Sequence, residues 1–513
     1  MGLLNTPSKH PFSLAAWADN AWNNVREWAF RHAWTPAVGL AETAVLSLMQ
    51  RITAGSLGVL TLNDVYHFPA VQTPDAISSS SEVKAELRVV NDTFWIRLCT
   101  MGDLGFSEAY MYGEVECDDL VSLFNIFLLN RQNLANMDSY ASCLFTLPQR
   151  LTSWRFLNTL SNSRSNVSAH YDISNAMFAG FLSEDMTYSC AIFNDLDGDL
   201  AAGRQHETSW NGGQMLKRVN LTNGGESALP STGDQVSPRD ELYEAQFRKL
   251  NHVIDKARIS PGHKVLEIGS GWGSMAILIA QRFPDTTVDA LTLSIQQQTL
   301  AETRIKEAGL DDRITVHLMD YRAMPKSWGA SFDRVVSVEM MENVGPGFMV
   351  EFWRTIDWAL KKDGGVGVVQ VITIPEARFE RYIREIDFIR KWVFPGGALP
   401  TLTMLLRTME KGSSGRLIVD SVSNIGPHYA RTLREWRRRF VDRFETVIIP
   451  ALKAEHPSVM NGPNGREEIE VFKRKWLYYY CYCEAGFTAR VLGDHIITFT
   501  REGCEEYGCE VFN

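Results

Sequence analysis

A glycine-rich turn is the first group of residues in this sequence whose types and spacing suggest chemistry. It follows an apolar run at 264–268 and precedes a helical pattern that starts at Ser274. Glycines let the backbone approach a ligand closely, and ligands of parallel sheets bind at the carboxyl ends of the strands. A tight turn without a ligand, with its tryptophan used only for packing, is the alternative. The candidate nucleotide contacts are Glu267, Gly269, Gly271, Trp272 and Gly273.

The end of the next predicted strand restricts the kind of nucleotide. A dinucleotide site needs an acid there to hold the ribose hydroxyls, but this strand ends in Thr292, Leu293 and Ser294. Asp289 has the right separation from the turn, yet it lies mid-strand and points across the sheet. The pattern therefore disfavours NAD. Gln297 could reach the ribose, and it could equally form a capping box with Ser294; the two roles stay open.

A second group of candidates combines carboxyl, amide and phenol side chains. Glu339 and Glu342 follow one predicted strand, and Gln370 lies within another. Beside a bound anion in a site of low dielectric constant, Glu342 would have to be protonated or accept the proton of that anion. Alternatively, the two glutamates cap the helix that follows, where negative charge is favourable. Tyr429 and His428 could likewise be a satisfied core pair.

The elements that position these residues alternate between strands and helices. Apolar strand patterns occur near 264–268, 286–293, 314–319, 332–338 and 366–374, with helical patterns between the earlier ones. This alternation predicts βαβ units and a mostly parallel sheet with helices on both faces, the α/β class.

The pattern upstream differs. Residues 81–130 alternate apolar and polar positions and then become helical, which predicts a smaller amino-terminal α+β domain over 1–165. The catalytic domain is expected over 166–513. Gly, Asn, Ser and Asp dominate 196–239, which predicts a flexible surface insertion.

Composition excludes several classes of function. The 513 residues are 45% hydrophobic and 22% charged, as in globular proteins, and a net charge of -10 argues against a nucleic-acid partner. Apolar runs such as 121–129 are broken well before the roughly 18 to 20 residues of a membrane span. Eight cysteines without a Cys-x-x-Cys pair predict reduced thiols and a cytoplasmic setting, and no metal site is predicted. Residues 1–6 match the loose N-myristoylation pattern, and their modification stays open.

Together these segments resemble the cyclopropane-fatty-acid and mycolic-acid cyclopropane synthases, from His170 to the carboxyl terminus. A segment from Gly102 is also similar to the amino-terminal domain of the phospholipid-acting members. The combination of Glu339, Glu342 and Gln370 is closer to plant and fungal members than to the bacterial ones. The matching motifs are His170-Tyr-Asp-Ile-Ser-Asn, Thr187-Tyr-Ser-Cys190, the turn at 265–273, Leu291-Thr-Leu-Ser-x-x-Gln297, Asp320-Tyr-Arg, Ser337-Val-Glu-Met-Met-Glu342-Asn-Val-Gly345, Phe394-Pro-Gly-Gly-Ala-Leu-Pro400, Pro427-His-Tyr429-Ala-x-Thr-Leu and Tyr482-Cys-Glu-Ala-Gly-Phe487.

The resemblance implies a class I methyltransferase fold, with a Rossmann-like seven-stranded sheet and a helical cap over an acyl channel at 376–425. It implies S-adenosylmethionine as methyl donor and an unsaturated acyl chain, carried by a phospholipid at a membrane surface, as acceptor. An alkene is a weak nucleophile, so the donor methyl must be held in line with it and water must be excluded. The residues implied around the methionine and adenine portions of the donor are Tyr188, Ser189, Tyr321 and Arg322.

In this family a bound bicarbonate removes a proton from the added methyl group so that the ring closes. The implied cradle uses the backbone at Cys190 and Ile372 with the side chains of Glu342 and Tyr429. The Cys190 thiol itself is expected to be a small buried group and not a nucleophile. Where bacterial members carry His, this chain has Gln370, which donates a hydrogen bond but cannot accept a proton. That departure weakens the expectation of bicarbonate more than that of methyl transfer.

Three alternatives remain at this point. The same first step could end in a methyl or methylene branch, and Gln370 makes that outcome credible. A lipid-binding protein without catalysis and an NAD-linked oxidoreductase are the rivals of other classes. The basic and aromatic segment 431–440 could lie at a phospholipid surface or form a solvated helix face. Peripheral membrane association and a homodimer are left open.

Overall fold

The computed structural model describes residues 35–69, 83–134, 174–200 and 240–505. The N-myristoylation pattern, the start of the His170 motif and most of the predicted insertion lie outside these ranges. Among the described helices, none has both the length and the apolar character needed to cross a membrane.

Residues 35–134 contain a small mixed sheet and four helices. Their elements are α1 (Thr35–Met49), β1 (Ser56–Leu60), β2 (Val65–Phe68), β3 (Lys84–Val89), α2 (Thr93–Met111), β4 (Val115–Cys117), α3 (Leu120–Leu129) and α4 (Arg131–Leu134). The strand order is β2-β1-β3-β4. Strand β3 buries Ala85, Leu87 and Val89 and exposes the residues between them, as the alternating sequence pattern predicts.

The main sheet has seven strands in the order β10-β11-β9-β8-β5-β6-β7. They are β5 (Lys264–Ile268), β6 (Thr287–Thr292), β7 (Ile314–Leu318), β8 (Arg334–Val338), β9 (Val366–Thr373), β10 (Leu417–Asn424) and β11 (Gly493–Arg501). Strands β5 to β9 pair in parallel, whereas β11 is antiparallel to β9 and to β10. The predicted mostly parallel seven-stranded sheet is confirmed. Strand β9 is apolar and buried along most of its length, because helices cover both faces of the sheet.

The helices that accompany this sheet are α5 (Asn175–Ala179), α6 (Glu241–Lys256), α7 (Ser274–Arg282), α8 (Ile295–Glu307), α9 (Met349–Ala359), α10 (Glu376–Arg384), α11 (Leu402–Ser413), α12 (Gly426–Asp442), α13 (Ile449–Glu455), α14 (Pro457–Met460) and α15 (Gly465–Thr488). Within the range 376–425, expected to cap the channel, α11 packs against α9 and β10 is an edge strand of the sheet. The cap over 376–425 stays a prediction, and residues 376–401 are the part of it outside this packing.

Aromatic packing on the last helix connects the amino-terminal elements to the rest. The Tyr478 ring on α15 lies 6.2 Å from Phe106 and 5.2 Å from Phe124. It also lies 4.5 Å from Phe388, which precedes a π-helical turn at Ile389–Val393. Such edge-to-face and tilted ring contacts stabilise the packing beyond the effect of the buried ring area.

A buried ion network also connects the amino-terminal elements to the rest of the described chain. Arg97 on α2 donates to Glu114 at 2.7 Å and to Glu108 at 3.3 Å. The second oxygen of Glu108 accepts from Lys391 in the π-helical turn at 2.5 Å. Arg97 and Glu108 are almost inaccessible to water, so each charge depends on its partners.

We expect Glu108→Gln to lower the free energy of unfolding by about 3 kcal/mol or more, because Arg97 and Lys391 would stay buried without this counter-charge. Urea unfolding measures the change. The matched control is Glu380→Gln, which breaks an exposed pair with Arg384 and should cost less than about 1 kcal/mol. Equal losses in the two variants would show that the network adds nothing specific.

Candidate active site

The glycine turn begins where β5 ends. Gly269, Gly271 and Gly273 all have positive φ angles, of 94°, 52° and 87°. A Cβ atom on Gly269 would lie 2.9 Å from the Met340 side chain, and one on Gly273 would lie 3.2 Å from Ala301. Gly271 has open space beside it. The turn thus needs glycine for conformation and packing, and it leaves backbone free to meet a ligand.

A cavity opens beyond the carboxyl ends of β5, β6, β7 and β8. It encloses about 1150 Å³, including its open mouth. All the sequence-predicted cofactor contacts line it except Gly273 and Ser294. Those in the lining are Tyr188, Ser189, Glu267, Gly269, Gly271, Trp272, Thr292, Leu293, Gln297, Tyr321 and Arg322.

The end of β6 carries hydroxyl and amide groups that could hold a ribose, but it lacks the acid that a dinucleotide site needs. Ser294 caps α8 by accepting from the backbone N–H of Gln297, while the Gln297 side-chain oxygen accepts from Thr292 at 2.7 Å. Gln297 therefore takes part in the cap of α8 and also lines the cavity. Asp289 lies mid-strand, where it pairs with Lys264 at 3.2 Å and with His317 at 2.8 Å, so it does not act as a strand-end acid.

The tryptophan and the β7 end complete this side of the cavity. The Trp272 indole donates to Asn175 at 2.7 Å and its ring packs on Phe178, so its packing role and its place in the lining coexist. Arg322 makes two hydrogen bonds to Asp320, at 2.8 and 2.7 Å, which raise the pKa of the guanidinium. Four buried atoms of lining residues have no protein partner in the described part of the chain: Glu267 Oε2 and the hydroxyls of Thr187, Ser270 and Tyr321. A ligand with ribose and amine or amide groups could satisfy them.

A carboxyl cluster borders the same cavity. Glu339, directly after β8, has a positive φ of 47°, a strained conformation for a residue with a side chain. Its carboxylate accepts three hydrogen bonds: from the Cys190 backbone N–H at 2.7 Å, from the Gln370 amide at 2.8 Å and from the Tyr429 hydroxyl at 2.5 Å. Gln370 also donates to Asp494 on β11 at 2.8 Å.

Glu342 lies beside this cluster and accepts from the Ile372 backbone N–H at 2.5 Å. Burial, and then the charge of Glu339, raise the pKa of Glu342 to about 8. Burial also raises the pKa values of Glu339 and Asp494. Because Glu339 has three fixed donors, we expect it to carry the negative charge while its two neighbours hold protons.

The four residues predicted for an anion cradle are brought together with Gln370, but Cys190, Tyr429 and Gln370 all donate to the carboxylate of Glu339. The helix-cap alternative is wrong for the two glutamates, because Glu342 lies in a short 3₁₀ turn and α9 begins only at Met349. Tyr429 is buried in the core with its hydroxyl satisfied, as the core alternative expects, but its partner is Glu339 and not His428, which accepts from the Phe193 backbone. Burial raises the pKa of the Cys190 thiol well above its usual value, which agrees with a non-nucleophilic role.

Both interpretations of the segment 431–440 are wrong for Arg431, Arg434 and Arg439, whereas the Arg438 side chain is 59% exposed, as on a solvated helix face. Arg431 is 2% exposed and pairs with Glu241 at 2.6 Å, and Arg434 pairs with Asp199 at 2.6 Å. Arg439 is bound to Asp240. These arginines join elements of the protein to one another and are not available to a lipid surface.

Four residues of this site were not predicted to bind or react: Glu339, which was expected at most to cap a helix, Asp494, Gln246 and Lys249. Asp494 is the single acid of β11, a strand of mixed polarity, so the sequence carries little signal for it. Gln246 and Lys249, spaced three apart on α6, both reach Ser189, through its carbonyl at 2.7 Å and its hydroxyl at 2.5 Å. Polar residues on the buried stripe of an amphipathic helix were the available signal.

Comparison with known proteins agrees with the resemblance carried by the sequence motifs. The family model described as mycolic acid cyclopropane synthetase matches residues 158–226 and 235–493, more than half of the chain. The protein belongs to this family. It is an S-adenosylmethionine-dependent methyltransferase.

Two curated relatives extend the match. The tuberculostearic acid methyltransferase UfaA1 of Mycobacterium tuberculosis is 33% identical over 407 residues, which are 79% of this chain and 81% of that protein. The cyclopropane-fatty-acyl-phospholipid synthase of Escherichia coli K12 is 28% identical over 427 residues, 83% of this chain and 90% of that one. Among solved structures, coclaurine N-methyltransferase superposes with a TM-score of 0.53 at 16% identity, over 77% of this chain and 98% of that chain. That last likeness supports the fold alone.

The raised pKa of Glu342 gives a stability test. The native state holds this proton between the ordinary value of 4.5 and about 8, so the stabilising contribution is complete below pH 4.5 and lost as pH rises through 8. Between pH 5 and pH 8, wild-type unfolding free energy should therefore fall by at least about 1.4 kcal/mol more than that of Glu342→Gln. Denaturant titrations at both pH values measure this, with Glu380→Gln expected to keep the wild-type fall. An identical pH dependence in Glu342→Gln would refute the buried proton.

Proposed function

We propose that this methyltransferase adds a methylene group across a carbon–carbon double bond of an unsaturated fatty acyl chain to form a cyclopropane ring. The observation that carries the proposal is the position of Glu339, which belongs both to the wall of the donor cavity and to the buried carboxyl cluster. Under this proposal Glu339 would present a proton acceptor close to the carbon that the donor transfers.

The reaction sets demands that these residues meet. The π electrons of the alkene form a bond to the donor methyl as its carbon–sulfur bond breaks, which leaves a cation on the acyl chain. A base then takes a proton from the added methyl, and the electrons of that C–H bond close the ring. The cluster is shielded from water, which would otherwise quench the cation. Its donors are fixed before the reaction begins, so stabilisation needs no reorganisation.

Glu339 is the base that the geometry favours. The Cys190 N–H, the Tyr429 hydroxyl and the Gln370 amide all donate to it, and two of these three were expected to hold bicarbonate directly. A bicarbonate ion in the same cradle would have to compete with an attached carboxylate for those donors. Glu342 and Asp494 supply groups to which the captured proton could pass on its way to solvent.

The branching alternative keeps some support. Gln370 cannot accept a proton, and one relative is named a methyltransferase with no cyclopropane in its name. Loss of a proton from the acyl chain would give a methyl branch next to a new double bond. A hydride shift from the methyl-bearing carbon to the cationic carbon, followed by loss of a proton from the added methyl, would give a methylene branch. The first step and the residues that bind the donor are the same in both schemes.

The lipid carrier is also proposed. A phospholipid acceptor is supported by the name of the Escherichia coli relative and by its alignment with 83% of this chain. Under this proposal the elements in 35–134 form the described part of a lipid-handling domain over 1–165, next to a catalytic domain over 166–513. Residues 376–401 would cover the acyl chain, and the enzyme would meet its substrate at a membrane surface.

Product analysis tests the reaction. The protein is incubated with S-adenosylmethionine that carries a trideuterated methyl group and with vesicles of a monounsaturated phospholipid. We expect an acyl chain that has lost its double bond and kept two of the three deuterium atoms, with ring protons visible by NMR. Retention of all three would support a methyl branch, and an exocyclic alkene a methylene branch. Absence of label from every lipid would overturn the proposed phospholipid acceptor.

Substitution of the base tests its identity. Glu339→Gln should slow turnover by roughly 100- to 10,000-fold, the range for loss of a general base, while leaving affinity for S-adenosylhomocysteine within about threefold. Turnover of the wild-type enzyme should be unchanged in buffer stripped of carbon dioxide. Loss of wild-type turnover in that buffer, restored by added bicarbonate, would instead assign the base to the bound ion.

A further inference from the structure

Helix α6 holds Ser189 by two side chains at once. Gln246 donates to the Ser189 carbonyl at 2.7 Å, and Lys249 donates to the Ser189 hydroxyl oxygen at 2.5 Å. Positions three apart lie on the same face of a helix, so both side chains point to one place. Ser189 and Lys249 both line the donor cavity.

The ammonium of Lys249 is unusual in this setting. Lys249 is fully buried, and within the described ranges no carboxylate lies at salt-bridge distance from it. Its one hydrogen bond there is to Ser189, although an ammonium has three donors. Burial lowers the pKa of Lys249, and the negative charge of Glu339 opposes that shift from beyond salt-bridge distance. Glu267, which also lines the cavity, has its pKa raised by burial to about 8 and so offers little further counter-charge. A buried cation without a paired anion is costly unless a ligand supplies the anion.

The position of Lys249 in the cavity indicates which part of the donor lies near it. Thr292 and Gln297 at the β6 end suit the ribose, and Tyr321 and Arg322 lie one strand further out, at the β7 end. Arg322 is already paired with Asp320. Lys249 lies on the opposite side, next to β5 and Ser189, where the amino-acid portion of the donor would extend.

We infer that Lys249 is a positioning residue for the carboxylate of the methionine portion of S-adenosylmethionine, acting through Ser189. Because the ammonium occupies a lone pair of the Ser189 oxygen, the hydroxyl proton of Ser189 is left to donate into the cavity. The positive charge behind it favours a carboxylate there over a neutral group. This inference rests on the proposed donor site and adds to it the residue that recognises one end of the donor.

Ligand truncation tests the inference without relying on turnover. Calorimetry compares S-adenosylhomocysteine with its decarboxylated analogue, which keeps the amine, and with 5′-methylthioadenosine, which lacks the amino-acid portion. Lys249→Met should weaken binding of S-adenosylhomocysteine roughly 10- to 100-fold, the range for a hydrogen bond to a charged group. Affinities for the two truncated ligands should change by less than about threefold, which also shows that the variant is folded.

Two further variants sharpen the result. Lys249→Arg keeps the charge and should recover part of the lost affinity, whereas Lys256→Met, the same change elsewhere on α6, should bind all three ligands as the wild type does. Equal weakening of all three ligands by Lys249→Met, or no weakening at all, would overturn the inference. Failure of the wild-type protein to bind S-adenosylhomocysteine would instead overturn the donor site itself.

Discussion

The structure of the active site depends on the burial of several carboxyl groups with few cations to neutralise them. Glu339, Glu342 and Asp494 lie together near the carboxyl ends of β8 and β9 and the start of β11. Not all of them can be ionised at once in such surroundings. The arrangement is stable because three donors converge on Glu339, so one negative charge is fixed in place and the neighbouring groups keep protons.

The rest of the fold serves to fix those donors. Parallel strands bring Glu339 and Gln370 to the same edge of the sheet, and the antiparallel strand β11 adds Asp494 from the other side. The loop that carries Tyr188, Ser189 and Cys190 spans both halves of the site, since its side chains line the donor cavity and one of its backbone N–H groups reaches the cluster. Movement of this loop would therefore alter donor binding and proton transfer together.

The sequence was sufficient for the parts of the structure that depend on local pattern. The glycine turn needs positive φ values that only glycine adopts easily, and the apolar strands must be buried on both faces, so both were predictable. The position of β10 was not predictable, because a strand that alternates apolar and polar residues can either pair with a sheet or lie across a channel. Pairing with β11 decided it.

The chemistry was predictable only where residues act close to their position in the chain. The residues of the anion cradle were found through motifs, but the side chain that fills the cradle is Glu339, and only the three-dimensional arrangement shows that its carboxylate turns back onto those donors. Asp494 and Lys249 come from segments far from the motifs they complete. Arg431 and Arg434 were misinterpreted because their acidic partners, Glu241 and Asp199, are nearly 200 residues or more away in the sequence.

Proton transfer at this site depends on one carboxylate of the cluster being charged, and its neighbours protonated, before substrate arrives. Infrared difference spectroscopy at neutral pH reports protonated carboxylic acids through their C=O stretching band. The band should be present in the wild-type protein, should lose intensity in Glu342→Gln and should keep its intensity in Glu339→Gln. Loss of intensity in Glu339→Gln, with none in Glu342→Gln, would contradict the account.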